Sequence, residues 1–305
     1  MTIAFIHPLK SFLPEINAYA DFFNKYGIRT EIHPTEMYDS INAEVEWYFM
    51  GMKGGKKKKN TIIIHEYASA SISPFRKEKD FLKRIYNQQP DYRLFLNLYV
   101  KQRLGFKDNI PFGLRDMGVA DLFFVSNKNI EKEYDFIYTG SVAPERQIEK
   151  LLDRFTRKDL QMHSLLIVSK DYHRIARHFA PFSNIHFEGP VTHEVVAGHI
   201  AKARFCINYM PDKEPFNQQT PVKLLEYLSL QIPVISSRYS WAEQFQRRYG
   251  GEFFFLEKDL SNFTWENITR HNYSFPDMHA WKWEKQIRES GILEFLQSKF
   301  RALQF

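Results

Sequence analysis

The chain has 305 residues, 44% hydrophobic and 26% charged, with 28 Phe, 16 Tyr and a formal net charge of +6. That length exceeds a single typical core and suggests two domains, and the composition is that of a globular chain, not of a disordered or fibrous one. The single Cys206 excludes an intrachain disulfide framework and a cysteine zinc cluster, no apolar run approaches 18 residues, and the positive balance points to acidic partners.

The first pattern predicts a short buried strand over Thr2–His7, then an amphipathic helix over 14–26 stopped by Gly27. Strands over 28–33 and 47–50 follow, then a flexible basic turn at Gly54-Gly55-Lys56-Lys57-Lys58-Lys59. Residues 61–66, Thr-Ile-Ile-Ile-His-Glu, form the continuous β-branched run expected of a parallel strand covered on both faces. A charged helix over 74–87 and a strand over 92–97 come next. In the second half, strands at 136–139, 164–168, 185–188, 205–209 and 233–236 alternate with helices at 145–155, 171–179, 192–202 and 221–230. Residues 257–280 read as an irregular polar connection, and those after 281 as terminal helices, apolar at Ile287, Ile292, Phe295, Leu296 and Phe300. Such alternation predicts an α/β chain with parallel sheets. The expected divisions are a first domain over 1–130, a second over 131–280, and a tail over 281–305 that packs back on the first. A break near 126–133 separates the two halves. The N-terminal apolar run is too short for a signal peptide, so a cytoplasmic protein is expected.

In open parallel sheets, ligands sit beyond the carboxyl ends of the strands. This singles out His7, His65-Glu66, Gly140-Ser141, Ser169-Lys170, Gly189-Pro190 and residues 209–220. Two facing domains would gather these ends around one cleft. Gly140 permits close backbone approach between a strand and a helix, and Arg146 can grip a phosphate bidentately. Further on, Thr220 suits a helix N-cap and Pro221 the first helical position. The third helical position, usually acidic, would then hold Lys223. A cation there makes sense if an anion is shared between the ammonium and the helix N-terminus. Glu226, three residues on, shares its face. An exposed Lys223–Glu226 ion pair, worth about 0–1 kcal/mol, would account for the same two residues. The histidines show no metal-binding spacing, and neither an Asp-x-Asp pair nor a G-x-S-x-G elbow occurs.

Three segments in order carry a family resemblance: Tyr138-Thr139-Gly140-Ser141 with Arg146, then Ile185-His186-Phe187-Glu188-Gly189-Pro190-Val191, then Pro221 to Val234. Together they resemble the second domain of retaining, family 4 glycosyltransferases of GT-B architecture, over about residues 135–245. The resemblance implies an α/β fold of two Rossmann-like domains facing each other across a cleft, with a C-terminal helix returning to the first. It implies a nucleotide-sugar donor as substrate, with neither cofactor nor metal, and a donor site in the second domain. There Glu226 would accept from the ribose hydroxyls, and Arg146 and Lys223 would neutralise the diphosphate leaving group. Gly189, Pro190 and Val191 would lie against the base, and Gly140, Ser141, Ser169, Gln218, Thr220, Pro221 and Leu224 would complete the site. His65 would contact the donor sugar or orient the acceptor, joining Arg146, Lys223 and Glu226 as the catalytic group. The acceptor would be a saccharide or lipid-linked saccharide, in surface polysaccharide or glycolipid assembly. Lys53–Lys59 with Arg76, Lys77, Lys79, Lys83 and Arg84 would suit an anionic membrane at the inner face, and no nucleic acid is expected. Three departures stand out. Gln218 replaces a glutamate common in the family, Gln231 replaces a glycine, and His7-Pro8-Leu9-Lys10 stands where a glycine-rich loop is usual. A nucleotide-sugar epimerase and a non-catalytic nucleotide-sugar-binding protein remain open alternatives.

Overall fold

The computed structural model describes residues 1–8, 13–49, 58–71, 74–125 and 130–305, without the side chains of 38, 39 and 158. Leu9, Lys10, Met50, residues 53–57 of the basic run and 126–129 of the expected break lie outside the described residues. The chain forms two compact units, Met1–Gly118 with Ala280–Phe305, and Val119–His279.

In the first unit, β1 (Thr2–His7), α1 (Pro14–Lys25), β2 (Arg29–Pro34), β3 (Val45–Phe49) and β4 (Ile62–Tyr67) are followed by α2 (Arg76–Tyr86), β5 (Tyr92–Phe95), α3 (Leu98–Leu104) and β6 (Phe112–Leu114). All strand pairs are parallel, in the order β2-β1-β3-β4-β5-β6. Helix α1 forms because Pro14 opens it and Ile16, Tyr19, Phe22 and Phe23 recur on one buried face. Those rings pack on the sheet, Tyr19 against Trp47 with centroids 4.4 Å apart. Each such side chain contributes roughly 1.5–3 kcal/mol on burial.

A charged group lies within this core. Arg115 bonds the Glu66 carboxylate and stands 3.9 Å from Glu15 Oε1, while the Trp47 indole N–H donates to Glu66 Oε2 at 2.8 Å. All four residues are buried. Burial pushes the Glu15 carboxyl up to about 7; Arg115 opposes this and Glu66 adds to it. An acid whose folded pKa exceeds its unfolded one stabilises most below the unfolded value, and that stability is lost as pH rises through the folded value. Glu15→Gln should therefore gain on wild type between about pH 4.5 and 8, by on the order of 3 kcal/mol. Urea unfolding of both proteins across that range measures it; a difference constant with pH would mean that Glu15 titrates normally.

The second unit comprises β7 (Tyr134–Thr139), α4 (Glu149–Leu152), β8 (Leu165–Val168), α5 (His173–Phe179), β9 (Ile185–Glu188), α6 (His193–Ala201) and β10 (Ala203–Asn208). Then come α7 (Val222–Ser229), β11 (Val234–Ser237), α8 (Ser240–Tyr249), β12 (Phe254–Leu256) and α9 (Trp265–Arg270). The sheet is again parallel, in the order β12-β11-β10-β7-β8-β9. Strand order reverses between β7 and β10, which opens a crevice at their carboxyl ends.

Several expectations shift here. The helix expected over 145–155 is broken: a 3-10 turn at Pro144–Arg146 ends at Gln147, whose φ of 53° is left-handed, before α4 begins. Residues 257–280 hold α9, capped by the Thr264 hydroxyl, where an irregular connection was expected. Gln231, in place of the family's glycine, takes a left-handed φ of 54° after α7, so the turn keeps its geometry without the residue that adopts it most easily. Cys206 is fully buried, and burial raises its thiol pKa, which leaves it inert.

After the second unit, α10 (Trp283–Arg288) and α11 (Ile292–Lys299) belong to the first. Ile287, Ile292, Leu293, Phe295 and Leu296 join its core, and Phe295 stacks on Tyr92 at 4.6 Å. Two glycines allow this approach. A Cβ on Gly113 would stand 1.9 Å from the Ser290 carbonyl oxygen, and one on Gly118 would stand 2.4 Å from the Trp283 ring.

Candidate functional site

The carboxyl end of the second unit's sheet is built around the switch between β7 and β10. After β7 the chain turns at Gly140, whose φ of 111° disfavours any side chain and where an added Cβ would meet nothing within 4 Å. The turn is tied to its neighbour: the Ser141 hydroxyl donates to Asp171 Oδ2 at 3.3 Å, and the Asp171 N–H donates to Ser169 Oγ at 3.3 Å. Ser169 in turn donates its N–H to the Glu188 carbonyl at 3.0 Å, just before Gly189. The Tyr172 ring lies against Gly189, 3.4 Å from where a Cβ would sit.

Helix α7 is clamped onto β7. The Tyr227 hydroxyl accepts from the Thr139 N–H at 3.0 Å and shares a 2.9 Å bond with the Thr139 hydroxyl. One turn earlier, the Lys223 ammonium rests 3.8 Å from the centroid of the Tyr138 ring. The start of the helix differs from expectation. Pro221 is the N-cap and Val222 the first helical residue, so Lys223 stands second, and Thr220 lies one residue further out. Pro221 holds an extended ψ of 105°, which places it outside the helix that its ring would otherwise open.

Arg146 approaches the same place from the β7 side. Its guanidinium donates to Met210 Sδ at 2.9 Å and lies 4.3 Å from the centroid of the Phe216 ring. Among the described residues neither Arg146 nor Lys223 makes an ion pair with a carboxylate; both rest on aromatic faces. Burial pushes the Lys223 ammonium well below the ordinary lysine range, the Arg146 charge lowers it further, and Glu226 opposes both. Two neighbouring cations, neither in ion-pair contact with a carboxylate and one of them desolvated, make a region of positive potential that suits a polyanion.

Glu226 does not pair with Lys223. It is 6% exposed, and its Oε1 lies 2.7 Å from Nε2 of His193, the first residue of α6. The exposed ion pair weighed from the sequence is therefore absent, and His193, which sequence spacing passed over, is part of the site. Gln218 sits in a short 3-10 turn, its amide donating to Ser240 Oγ at 3.1 Å.

Ser141 and Ser169 are thus tied through Asp171 beside Gly140, Lys223 and Glu226 lie on α7 against Tyr138 and His193, and Arg146 and Gln218 lie in 3-10 turns held to Met210 and Ser240, with Pro190 and Val191 between Gly189 and His193. Leu224 is an exception: its side chain is fully buried in the core, which leaves only its backbone to face a ligand. His65 is another. Strand β4 runs two residues past it, to Tyr67, and its ring is fully buried, edge-on to Tyr48 and Tyr67. It belongs to the first unit's core, not to a strand end open to ligand. The described residues contain no group of three metal-ligating side chains, and no helix among them is long and apolar enough to cross a membrane.

No protein-family profile matches the chain, and no curated protein matches it in sequence. Solved structures match along nearly its whole length. One is AviGT4, a glycosyltransferase involved in avilamycin A biosynthesis, at 11% identity and a TM-score of 0.61, covering 99% of this chain and 96% of that one. Another is Anabaena HepE in complex with UDP-glucose, at 11% identity and 0.65, covering 98% and 100%. A third is the Methanocaldococcus jannaschii UDP-GlcNAc 2-epimerase in complex with UDP-GlcNAc and UDP, at 13% and 0.55, covering 97% and 100%. The chain has the fold these structures share, the α/β GT-B fold of two Rossmann-like units.

Proposed function

We propose that the protein is a glycosyltransferase that moves a glycosyl group from a nucleoside-diphosphate sugar to a hydroxyl acceptor. The observation that carries this reading is the Arg146–Lys223 pair, neither member in ion-pair contact with a carboxylate among the described residues, beside the open Gly140 turn at the sheet's switch point. Breaking the anomeric C–O bond builds negative charge on the departing diphosphate, and two fixed cations stabilise that charge as it grows. Glu226 accepts from the ribose hydroxyls, and the Gly189-Pro190-Val191 turn with Tyr172 receives the base. Gln218 stands near the sugar. The first unit holds the acceptor, a saccharide or lipid-linked saccharide. Its α2 carries exposed Lys77, Lys79 and Arg84 with exposed Phe81, Ile85 and Tyr86, a surface that suits an anionic membrane face. Retention of configuration, independence from metal and a place in polysaccharide or glycolipid assembly at the inner membrane face follow from the family 4 resemblance. The likeness to a UDP-GlcNAc 2-epimerase favours a second reading, a sugar-nucleotide epimerase with the same donor site.

Thermal unfolding with UDP-, GDP-, ADP- and CMP-linked sugars and the free nucleotides tests the shared part. A ligand at 100 times its dissociation constant adds about 2.7 kcal/mol, a readily visible rise in melting temperature. Glu226→Ala is expected to abolish the rise for the best donor. No rise with any nucleotide would sink the donor site. Sugar analysis of the incubated donor then separates epimerisation from transfer.

A further inference from the structure

His193 opens α6 directly after the Gly189-Pro190-Val191-Thr192 turn, and Glu226 lies on α7. Their 2.7 Å contact therefore joins two elements that leave the sheet from opposite sides of the switch, β9 on one and β10 on the other. The imidazole is itself held: its ring packs edge-on against the fully buried Phe123, with centroids 4.9 Å apart. Glu226 Oε1 is thereby fixed in place, while Oε2 makes no hydrogen bond among the described residues.

We propose that His193 is a positioning residue that aims the Glu226 carboxylate at the ribose hydroxyls of the donor. This rests on the nucleotide-sugar reading above and adds a residue to it. A carboxylate on an isolated side chain samples several rotamers, and a hydroxyl that binds it must also select one of them. With a proton on Nε2, the imidazole donates to Oε1 and removes that freedom before ligand arrives. Ribose and deoxyribose are then told apart by a carboxylate already in place, because an acceptor left without its hydroxyl is a desolvated charge.

The test is calorimetric titration with UDP, GDP and ADP and their 2′-deoxy forms, against wild type, His193→Ala, His193→Gln and Glu226→Gln. Wild type is expected to bind the best ribonucleotide about 10- to 100-fold more tightly than its deoxy form, the range of one hydrogen bond to a charged group. His193→Ala should bring the two forms to within about threefold, as Glu226→Gln does, with deoxy affinity unchanged. His193→Gln keeps an N–H donor and should restore much of the discrimination. Discrimination unchanged in His193→Ala, or equal weakening of both forms, would reduce His193 to a strut between helices. If wild type binds these nucleotides without preferring ribose, Glu226 is not a ribose ligand; if it binds none of them, the nucleotide reading itself fails.

Discussion

Arg115→Met is expected to lower the unfolding free energy by about 3–5 kcal/mol, the usual result of removing one partner from a buried ion pair. The guanidinium is 1% exposed, and it is the cation bonded to Glu66 and near Glu15, both equally buried. Without it two carboxylates share an apolar core, and at neutral pH at least one must take up a proton or draw in water. The arginine has a second role, since its guanidinium lies 5.1 Å from the centroid of the Trp283 ring on α10. Methionine keeps much of that packing, so the loss reports charge more than volume. Adding Glu15→Gln and Glu66→Gln to Arg115→Met should recover most of the stability, because a whole buried ionic group can often be replaced at little cost. Urea unfolding measures both steps. A loss below about 1 kcal/mol for the single variant would show that the carboxylates find other partners.

Lys223→Met should reduce glycosyl transfer about 10²–10³-fold, the effect of deleting one donor to transition-state charge. Release of nucleoside diphosphate from the best-binding sugar nucleotide reads the rate. The same change is expected to leave the ligand-free protein as stable as wild type or more so. Burial and Arg146 hold the ammonium well below its ordinary pKa, and a lysine so depressed opposes folding at neutral pH. On the proposed function, a cation kept at a cost to the empty protein would find its counter-charge in the ligand's diphosphate. Combining Lys223→Met with Arg146→Ala should cost less than the sum of the two, since both act on one diphosphate. If Lys223→Met destabilises the protein and leaves transfer intact, the ammonium is structural.

What the sequence revealed and what it hid divide along the range of the interactions. The alternation of β-branched runs with amphipathic helices is local, and both parallel sheets follow from it. The three ordered segments around Gly140, Gly189 and Lys223 were legible because each joins a strand end to a turn within a few residues. Their position at the reversal of strand order was not, because order depends on pairings between residues far apart, such as Cys206 with Ile137. The same holds for Glu15, Glu66 and Arg115, which are scattered along the chain and which no local pattern links. His193 was hidden for another reason: its partner is on the next helix, 33 residues on, and no periodic pattern links them. His65 misled because the strand continues through Tyr67, which turns an expected strand end into an interior position.

The first unit is encoded in two pieces, with all of Val119–His279 between them. On a ribosome that emits residues from the N-terminus, the patch around Gly113 and Gly118 therefore waits uncovered until Trp283 and Ser290 are made. The unit that starts first is completed last. Its unfinished apolar surface, including Tyr92 and the α1 aromatics, stays open throughout synthesis of a neighbour that can fold from one unbroken stretch.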